Sequence, residues 1–433
     1  MRLLVVGGGG REHALVRALQ RSPGVEFVLA APGNPGIAAE PRARCVPVPA
    51  EDLDALLRLA LAERIDLTIV GPEAPLVAGI VDRFEAAGLE ILGPSAAAAA
   101  LEGSKAFAKG VMAAAGVPTA AASVHEHLED ALLALEARPE GPVVIKADGL
   151  AAGKGVVVAP DRATAADALR AFLGDARLGT AGARVLIEDF LLGDEVSVIA
   201  LCDGTRAVLL PPAQDHKRLG DGDTGPNTGG MGTYAPAPVL DAAALEAVRR
   251  DAIEPVLREM AIRGIPFHGF LFAGLMVGPA GVHVLEFNAR LGDPETQVML
   301  ALLADDPLPA FRAAARGALG EETLRFRPDA HAACVVMAAE GYPDTPIRGA
   351  AIPEPVSLPA GTAVLHAGTI RDAAGVLRVN GGRVLGVTAV GPNLADTLAH
   401  AYVAVESLRW PGVQFRSDIG GRALSQPTSP TPH

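Results

Sequence analysis

Residues 3–13 read LLVVGGGGREH, an apolar run followed by four glycines and a polar stretch. The apolar run predicts a buried strand, and the amphipathic pattern over 12–20 predicts a helix. The same alternation continues through the first hundred residues, with predicted strands at 27–30, 67–70 and 89–92 and a predicted helix at 53–63. This order predicts a parallel α/β domain over residues 1–103.

The glycine turn lies where a strand leads into a helix, a position at which backbone N–H groups can bind a phosphate. A dinucleotide-binding fingerprint is the main alternative, but Glu12 occupies its third glycine position and no acidic residue ends the second strand. A nicotinamide-dependent oxidoreductase is therefore disfavoured. A tight turn without a ligand stays open as an interpretation.

Length and composition exclude several other classes. At 433 residues and roughly 150 residues per domain, the chain should form about three packed units. Its net charge of −13 argues against binding nucleic acid, and it contains no apolar run long enough to cross a membrane. The three scattered cysteines are typical of reduced thiols. We expect a cytoplasmic protein and leave the oligomeric state open, with a monomer as the working expectation.

Lysine is rare in this chain, and its positions are therefore informative. Only five of the 37 basic residues are lysine, at positions 105, 109, 146, 154 and 217. Where only a solvated positive charge is needed, arginine replaces lysine freely, whereas an ammonium group against a phosphate is harder to replace. The retained lysines are candidates for phosphate contact.

Two of these lysines belong to a glycine-rich loop and the strand before it, in a predicted small lobe over residues 118–192. Lys146 ends a predicted strand, and the loop that follows carries Gly153 and Lys154. A flexible glycine backbone can close over phosphates while lysine contacts them. A later strand, predicted at 184–187, leads into a linker from Glu188 through Leu191 to Glu195 that could bind adenine and ribose.

A second motif suggests a metal site. Glu286 and Asn288 alternate along a predicted strand and so share one face, where their oxygens could hold Mg²⁺. Arg290 lies one step further along the same face. The sequence predicts that Asp293 caps the helix that follows.

A polar, glycine-rich segment over 213–233 carries Asp215 and Lys217. Ionisable groups beside such a segment suit the recognition of a small zwitterion, with the glycine-rich part acting as a lid. A connector without function is the alternative interpretation.

The C-terminal third predicts strands at 332–338, 364–371, 377–379 and 384–390, with Asn380-Gly381-Gly382 as a hairpin turn. A helix is predicted at 394–407. The domain boundary is predicted between 325 and 326, the domain ends at 424, and residues 425–433 are expected to be disordered.

Taken in order, these motifs resemble those of the phosphoribosylamine–glycine ligase family of the ATP-grasp superfamily. The resemblance extends to about Leu424 and rests on the following segments: VVGGGGREHAL, APGNPG, IVGPEAPLVAGI, LEGSKAF, VVIKADGLAAGKGV, AQDHKRLGDGDTGPNTGGMGTYAPAP, FAGLM, LEFNARLGDPETQ, HAGT, GRVLGVTA and FRSDIGGRAL.

The resemblance implies a Rossmann-like N-terminal domain, an ATP-grasp centre over 104–325 and a small mixed α/β C-terminal domain. It implies that Mg²⁺ or Mn²⁺ binds at Glu286 and Asn288, and that Arg290, Lys217 and Asp215 act in catalysis. ATP would contact Lys105, Lys146, Gly153, Lys154, Glu188, Leu191 and Glu195. Phosphoribosylamine and glycine would contact Gly9, Arg11, Glu12, Asn34, Glu73, Asp215 and Lys217.

The implied activity is the ATP-dependent joining of glycine to phosphoribosylamine in purine synthesis. Another ATP-grasp ligase or carboxylase of purine synthesis is the nearest alternative. A nucleotide-binding regulator without turnover is an alternative of a different class, and the intact lysine and metal motifs argue against it.

Overall fold

The computed structural model describes residues 1–151, 155–175, 177–320, 324–354 and 357–425. The predictions for Gly153, Lys154 and tail residues 426–433 lie outside these ranges. Within the described ranges, no helix combines the length and apolar character needed to cross a bilayer.

The N-terminal region is a parallel sheet with strand order β3-β2-β1-β4-β5. Strand β1 lies in the middle, and Leu3 to Val6 in it are fully buried. Because β2 and β4 lie on opposite sides of β1, the carboxyl end of β1 opens into a crevice. The elements are β1 (Arg2–Gly7), α1 (Gly10–Leu19), β2 (Phe27–Pro32), α2 (Pro35–Ala38), β3 (Ala43–Cys45), α3 (Leu53–Glu63), β4 (Leu67–Val70), α4 (Glu73–Val77), α5 (Ile80–Ala86), β5 (Ile91–Leu92) and α6 (Ala96–Gly103).

A small lobe follows helix α7 (Lys105–Ala115). Its antiparallel sheet has the order β6-β9-β7-β8, and its helices pack on the sheet around a separate hydrophobic cluster. The elements are β6 (Ala122–His125), α8 (Leu128–Glu136), β7 (Val143–Ala147), β8 (Val156–Ala159), α9 (Arg162–Leu169), a π-helical turn (Arg170–Gly174), a 3₁₀ turn (Gly179–Gly182) and β9 (Val185–Asp189).

The larger lobe has an antiparallel sheet of order β11-β10-β16-β17. The helix predicted over 241–263 is interrupted by a π-helical turn at Arg249–Ile253, and short strands occupy the segment predicted to be a loop. The elements are β10 (Asp194–Asp203), β11 (Ala207–Leu209), β12 (Gln214–Asp215), β13 (Arg218–Gly220), a 3₁₀ turn (Asp221–Asp223), β14 (Thr224–Asn227), β15 (Gly232–Ala235), α10 (Ala242–Val248), α11 (Glu254–Ile262), β16 (His268–Gly278), β17 (Gly281–Asn288), α12 (Glu295–Ala301) and α13 (Leu308–Ala315).

The C-terminal region completes an antiparallel sheet of order β12-β15-β18-β22-β19, so two strands of the larger lobe join it. The predicted hairpin at 380–382 is wrong, because β21 pairs with β20 while β22 pairs with β18 and β19. The strand predicted at 364–371 is two strands. The elements are β18 (His331–Ala338), β19 (Thr362–His366), β20 (Thr369–Arg371), β21 (Leu377–Val379), β22 (Arg383–Gly391), α14 (Leu394–Ser407) and α15 (Gly421–Ser425).

Candidate active-site cleft

A cleft of about 800 Å³ lies where the two lobes meet the N-terminal and C-terminal regions. Residues that are far apart in the sequence converge on it. Of the residues predicted from the sequence, those lining the cleft are Arg11, Glu73, Lys105, Lys146, Glu188, Leu191, Glu195, Asp215, Lys217, Glu286, Asn288 and Arg290.

At the small-lobe end, two lysines surround one buried carboxylate. Lys146 Nζ lies 3.0 Å from Glu188 Oε2, and Lys109 Nζ lies 3.3 Å from Glu188 Oε1. Glu188 is only 2% exposed, so its charge requires these partners. Lys146 Nζ also donates to the carbonyl oxygen of Leu285 at 3.0 Å. The β16–β17 register shifts at Leu285, leaving this residue without a partner across the strand pair.

Lys105 adds a third ammonium group near the same end. Its Nζ donates to the carbonyl oxygen of Gly149 at 3.3 Å. Burial lowers the pKa of Lys105, and the charge of Lys146 lowers it further against the opposing effect of Glu286. A polyanion entering the cleft would relieve this repulsion between lysines.

Glu286 and Asn288 lie on one face of β17, as predicted, while Phe287 between them is buried. Burial raises the pKa of Glu286, but the charges of Lys217 and Lys146 outweigh this effect and hold that pKa below its ordinary value. Within the described ranges, neither side chain is engaged in a hydrogen bond or a close ion pair. Their oxygens are therefore available to a hard cation.

Arg290 is held between two carboxylates from the N-terminal region. Its Nε lies 3.1 Å from Glu73 Oε2, and its Nη2 lies 3.0 Å from Glu102 Oε1. Glu102 also accepts the backbone N–H of Ala289 at 2.8 Å. These contacts fix the guanidinium at the cleft wall, two residues after the end of strand β17.

Acidic and basic side chains also meet around Asp215 and Lys217 on the cleft wall. Lys217 pairs with Glu195, and burial together with nearby Glu295 raises the pKa of Asp215 well above its ordinary value. Oδ1 of Asp215 is buried and has no hydrogen-bond partner in the described part of the chain. A ligand that offers an N–H donor would satisfy this oxygen.

Three predicted residues lie beside the cleft rather than on its wall. Glu12 accepts the backbone N–H of Gly9 and the Nε of Arg11, both at 2.6 Å. Asn34 caps helix α2 and donates to the carbonyl oxygens of Gly8 and His366 at 2.9 and 2.8 Å. The side chains of Glu12 and Asn34 therefore bond within the protein.

The structure corrects the interpretation of Asp293. Helix α12 begins at Glu295 with Pro294 as its N-cap, so Asp293 lies one residue too early to cap it. Instead, Oδ2 of Asp293 lies 3.1 Å from Nη2 of Arg383, and both residues line the cleft. No sequence pattern indicates this pair, because Arg383 follows 90 residues later, at the start of strand β22.

Two further residues line the cleft: Glu102, which was not predicted, and Lys109, which was named among the rare lysines without a specific role. Lys109 carried one signal, since it is a rare lysine one helical turn after Lys105. No sequence signal indicates Glu102, because its role depends on contact with Arg290, which lies in a distant part of the chain.

Family models for phosphoribosylglycinamide synthetase match three successive parts of the chain. The N domain matches residues 1–102, the ATP-grasp (A) domain 103–296 and the C domain 332–422. The chain belongs to the phosphoribosylglycinamide synthetase family. The predicted family and the predicted α/β and ATP-grasp fold class are thereby confirmed.

Individual proteins agree with the family models. A phosphoribosylamine–glycine ligase of Xylella fastidiosa is 50% identical over 98% of this chain and 97% of its own length. The crystal structure of a phosphoribosylamine–glycine ligase from Thermotoga maritima has a TM-score of 0.84 and 32% identity, covering 97% of this chain and 100% of that one. A biotin carboxylase from Campylobacter jejuni has a TM-score of 0.74 at 16% identity, covering 96% and 92%. The last similarity shows a shared fold alone.

Proposed function

We propose that this chain forms glycinamide ribonucleotide from glycine and 5-phosphoribosylamine at the expense of ATP, in purine biosynthesis. The observation that carries the proposal is the family match along the chain, combined with one cleft that holds both the lysine-rich end and the Asp215–Lys217 end. The first end suits a nucleoside triphosphate, and the second suits a small zwitterion.

The reaction takes place in two steps. A glycine carboxylate oxygen attacks the γ-phosphorus of ATP, so the bond to the β-phosphate oxygen breaks and ADP leaves. The amine of phosphoribosylamine then attacks the carbonyl carbon of glycyl phosphate, phosphate leaves, and the amine nitrogen gives up one proton. The protein supplies position and compensating charge rather than a covalent intermediate.

At the ATP end, Lys105 and Lys146 contact the phosphates, and Glu188, Leu191 and Glu195 contact the nucleoside. Gly153 and Lys154 keep their predicted phosphate role. Arg290 stabilises the transferring phosphoryl group, and its two carboxylate partners support this role by holding its guanidinium in place.

Glu286 and Asn288 would hold the divalent metal, Mg²⁺ or Mn²⁺, which would neutralise phosphate charge when bound. The donor set fits such an ion, because the oxygens are hard and not engaged elsewhere in the described residues. No group of three or more His, Cys, Asp or Glu residues within those ranges forms a metal site.

At the other end, Lys217 and Asp215 receive glycine and the acyl phosphate. Phosphoribosylamine lies toward Arg11 and Glu73. Gly9, Glu12 and Asn34 contribute indirectly to the phosphoribosylamine site, because their hydrogen bonds shape the turn after β1.

Release of ADP tests the proposal. The enzyme is mixed with ATP, Mg²⁺, glycine and phosphoribosylamine generated in place from ribose 5-phosphate and ammonia, and alanine or bicarbonate replaces glycine in parallel. Release that needs both glycine and the amine is the expected result. Bicarbonate-driven release without glycine would instead identify a carboxylase. The domain boundaries, the cytoplasmic location and the monomeric state stay predictions.

A further inference from the structure

One C-terminal motif, FRSDIGGR over residues 415–422, has no role in the function proposed above. It lies against the segment that carries Asp215 and Lys217, although about 200 residues separate the two in the chain. The contacts between them involve buried charge.

The β13–β14 hairpin needs support from outside itself. It is a two-stranded sheet with an irregular register, and all of β14 is exposed. Isolated two-stranded hairpins are marginally stable at best. Its turn also contains two successive left-handed residues, Gly222 at φ 66° and Asp223 at φ 55°. A non-glycine residue keeps that conformation when its surroundings hold it there.

Arg416 supplies this support. It is the largest fully buried side chain in the described chain, at 1% exposure. Its Nη1 donates to Asp223 Oδ1 at 2.8 Å and to the carbonyl oxygen of Arg218 at 3.2 Å. Its Nε and Nη2 donate to the two carboxylate oxygens of Asp418, both at 2.7 Å. One guanidinium thus joins the start and the turn of the hairpin to the C-terminal segment.

Further bonds fix the same turn. Oδ2 of Asp418 accepts the backbone N–H of Gly222 at 2.8 Å, and Oδ1 of Asp221 accepts the backbone N–H of Ser417 at 2.8 Å. The turn and the C-terminal segment therefore exchange hydrogen bonds in both directions.

His216, in the connection between β12 and β13, also contacts this segment. Its Nδ1 donates to the carbonyl oxygen of Gly232 at 3.0 Å, and its Nε2 accepts the backbone N–H of Gly420 at 3.3 Å. His216 lies between Asp215 and Lys217 in the sequence, so these two bonds fix the backbone that carries both residues at the cleft wall.

We propose that residues 416–420 act as a clamp that positions the glycine end of the cleft, with Arg416 as the positioning residue. This inference rests on the proposed function for the identity of the substrate. The glycine-rich sequence predicts a lid at this segment, whereas the clamp would hold the segment in place through the C-terminal region.

Arg416→Met tests the clamp, with Arg250→Met as the matched control. Arg250 is exposed and pairs with its sequence neighbour Asp251. Because displacement of substrate-positioning groups by about 1 Å can cost on the order of 100-fold in rate, we expect Arg416→Met to raise the KM for glycine and lower kcat by at least about tenfold. The Kd of a non-hydrolysable ATP analogue, measured by calorimetry, should stay within about twofold. A milder variant, Asp221→Ala, should shift the glycine KM in the same direction by about threefold.

Hydrogen–deuterium exchange without substrate provides a readout independent of catalysis. Backbone amides of residues 217–231 should exchange faster in Arg416→Met and Asp221→Ala than in Arg250→Met. Unchanged exchange in this region would overturn the clamp, as would an equal loss of ATP and glycine affinity. If Arg416→Met does not fold, Asp221→Ala decides by the same two measurements. Should the wild type show no glycine dependence, the proposed substrate fails while the exchange experiment still decides on the clamp.

Discussion

The Nζ atom of Lys146 lies 3.0 Å from Oε2 of Glu188, across two neighbouring strands of the small lobe. The same ammonium group donates to the carbonyl oxygen of Leu285 in the larger lobe. Lys146 therefore connects the two lobes at the wall of the cleft, and it is only 6% exposed. These contacts are made by a compact ammonium group, and a planar guanidinium on a longer side chain does not reproduce their geometry.

Lys146→Arg should lower kcat/KM for ATP by about 100-fold although the charge is kept. The larger head group would lose the short contact with Glu188 and displace the phosphates. ADP release at varied ATP measures the effect, with the exposed Arg177→Lys as a control. Turnover close to that of the wild type would remove Lys146 from the phosphate site.

Glu286→Gln should raise the Mg²⁺ concentration needed for half-maximal ADP release by about tenfold or more, because one charged oxygen ligand is lost. Titration of ADP release with Mg²⁺ measures this change, and the exposed Glu85→Gln is the control. Binding of ATP measured in EDTA should change little. An unaltered Mg²⁺ requirement would show that the metal binds elsewhere.

Arg290→Met should destabilise the fold by about 3–5 kcal/mol near neutral pH, because it leaves the buried Glu102 carboxylate without its partner. Burial already raises the pKa of Glu102, and loss of Arg290 should raise that pKa further. The folded state would then hold a proton that the unfolded state releases, so stability should fall as the pH rises above about 4.5.

Urea unfolding at pH 5 and pH 8 tests the Arg290 prediction. The double variant Arg290→Met/Glu102→Gln serves as control, since its neutral amide should abolish the added pH dependence. Equal destabilisation of the single variant at both pH values would contradict it.

Acid should destabilise the protein through His216. Burial lowers the pKa of His216 to about 4, while the unfolded value is near 6.5. Between these values the unfolded state binds more protons, so the stabilisation is complete above about pH 6.5 and is lost as the pH falls toward about 4. By pH 5 the loss should reach about 2 kcal/mol. Unfolding free energies at pH 7 and pH 5 measure it, and His216→Gln should show a smaller difference. If His216→Gln kept the full wild-type pH dependence, the effect would belong to other groups, such as His366.

Local elements were predictable because their patterns lie within short stretches. The helix at 53–63 was predicted with the bounds observed for α3, and α14 was predicted likewise at 394–407. Apolar spacing and capping residues encode such helices directly. The prediction of one strand at 364–371 is wrong, since the local sequence pattern does not show that the two halves of this segment pair with different strands.

The sequence alone determined the family, the α/β class and most candidate ligands, since these depend on residue type and order within continuous motifs. The tertiary structure decided which charges meet. Arg290 pairs with Glu73 and Glu102, Arg383 with Asp293, and Arg416 with Asp223. Each pair joins separate elements across long stretches of chain. The sequence around a charged residue does not indicate its distant partner, because only the tertiary fold brings the two side chains within bonding distance.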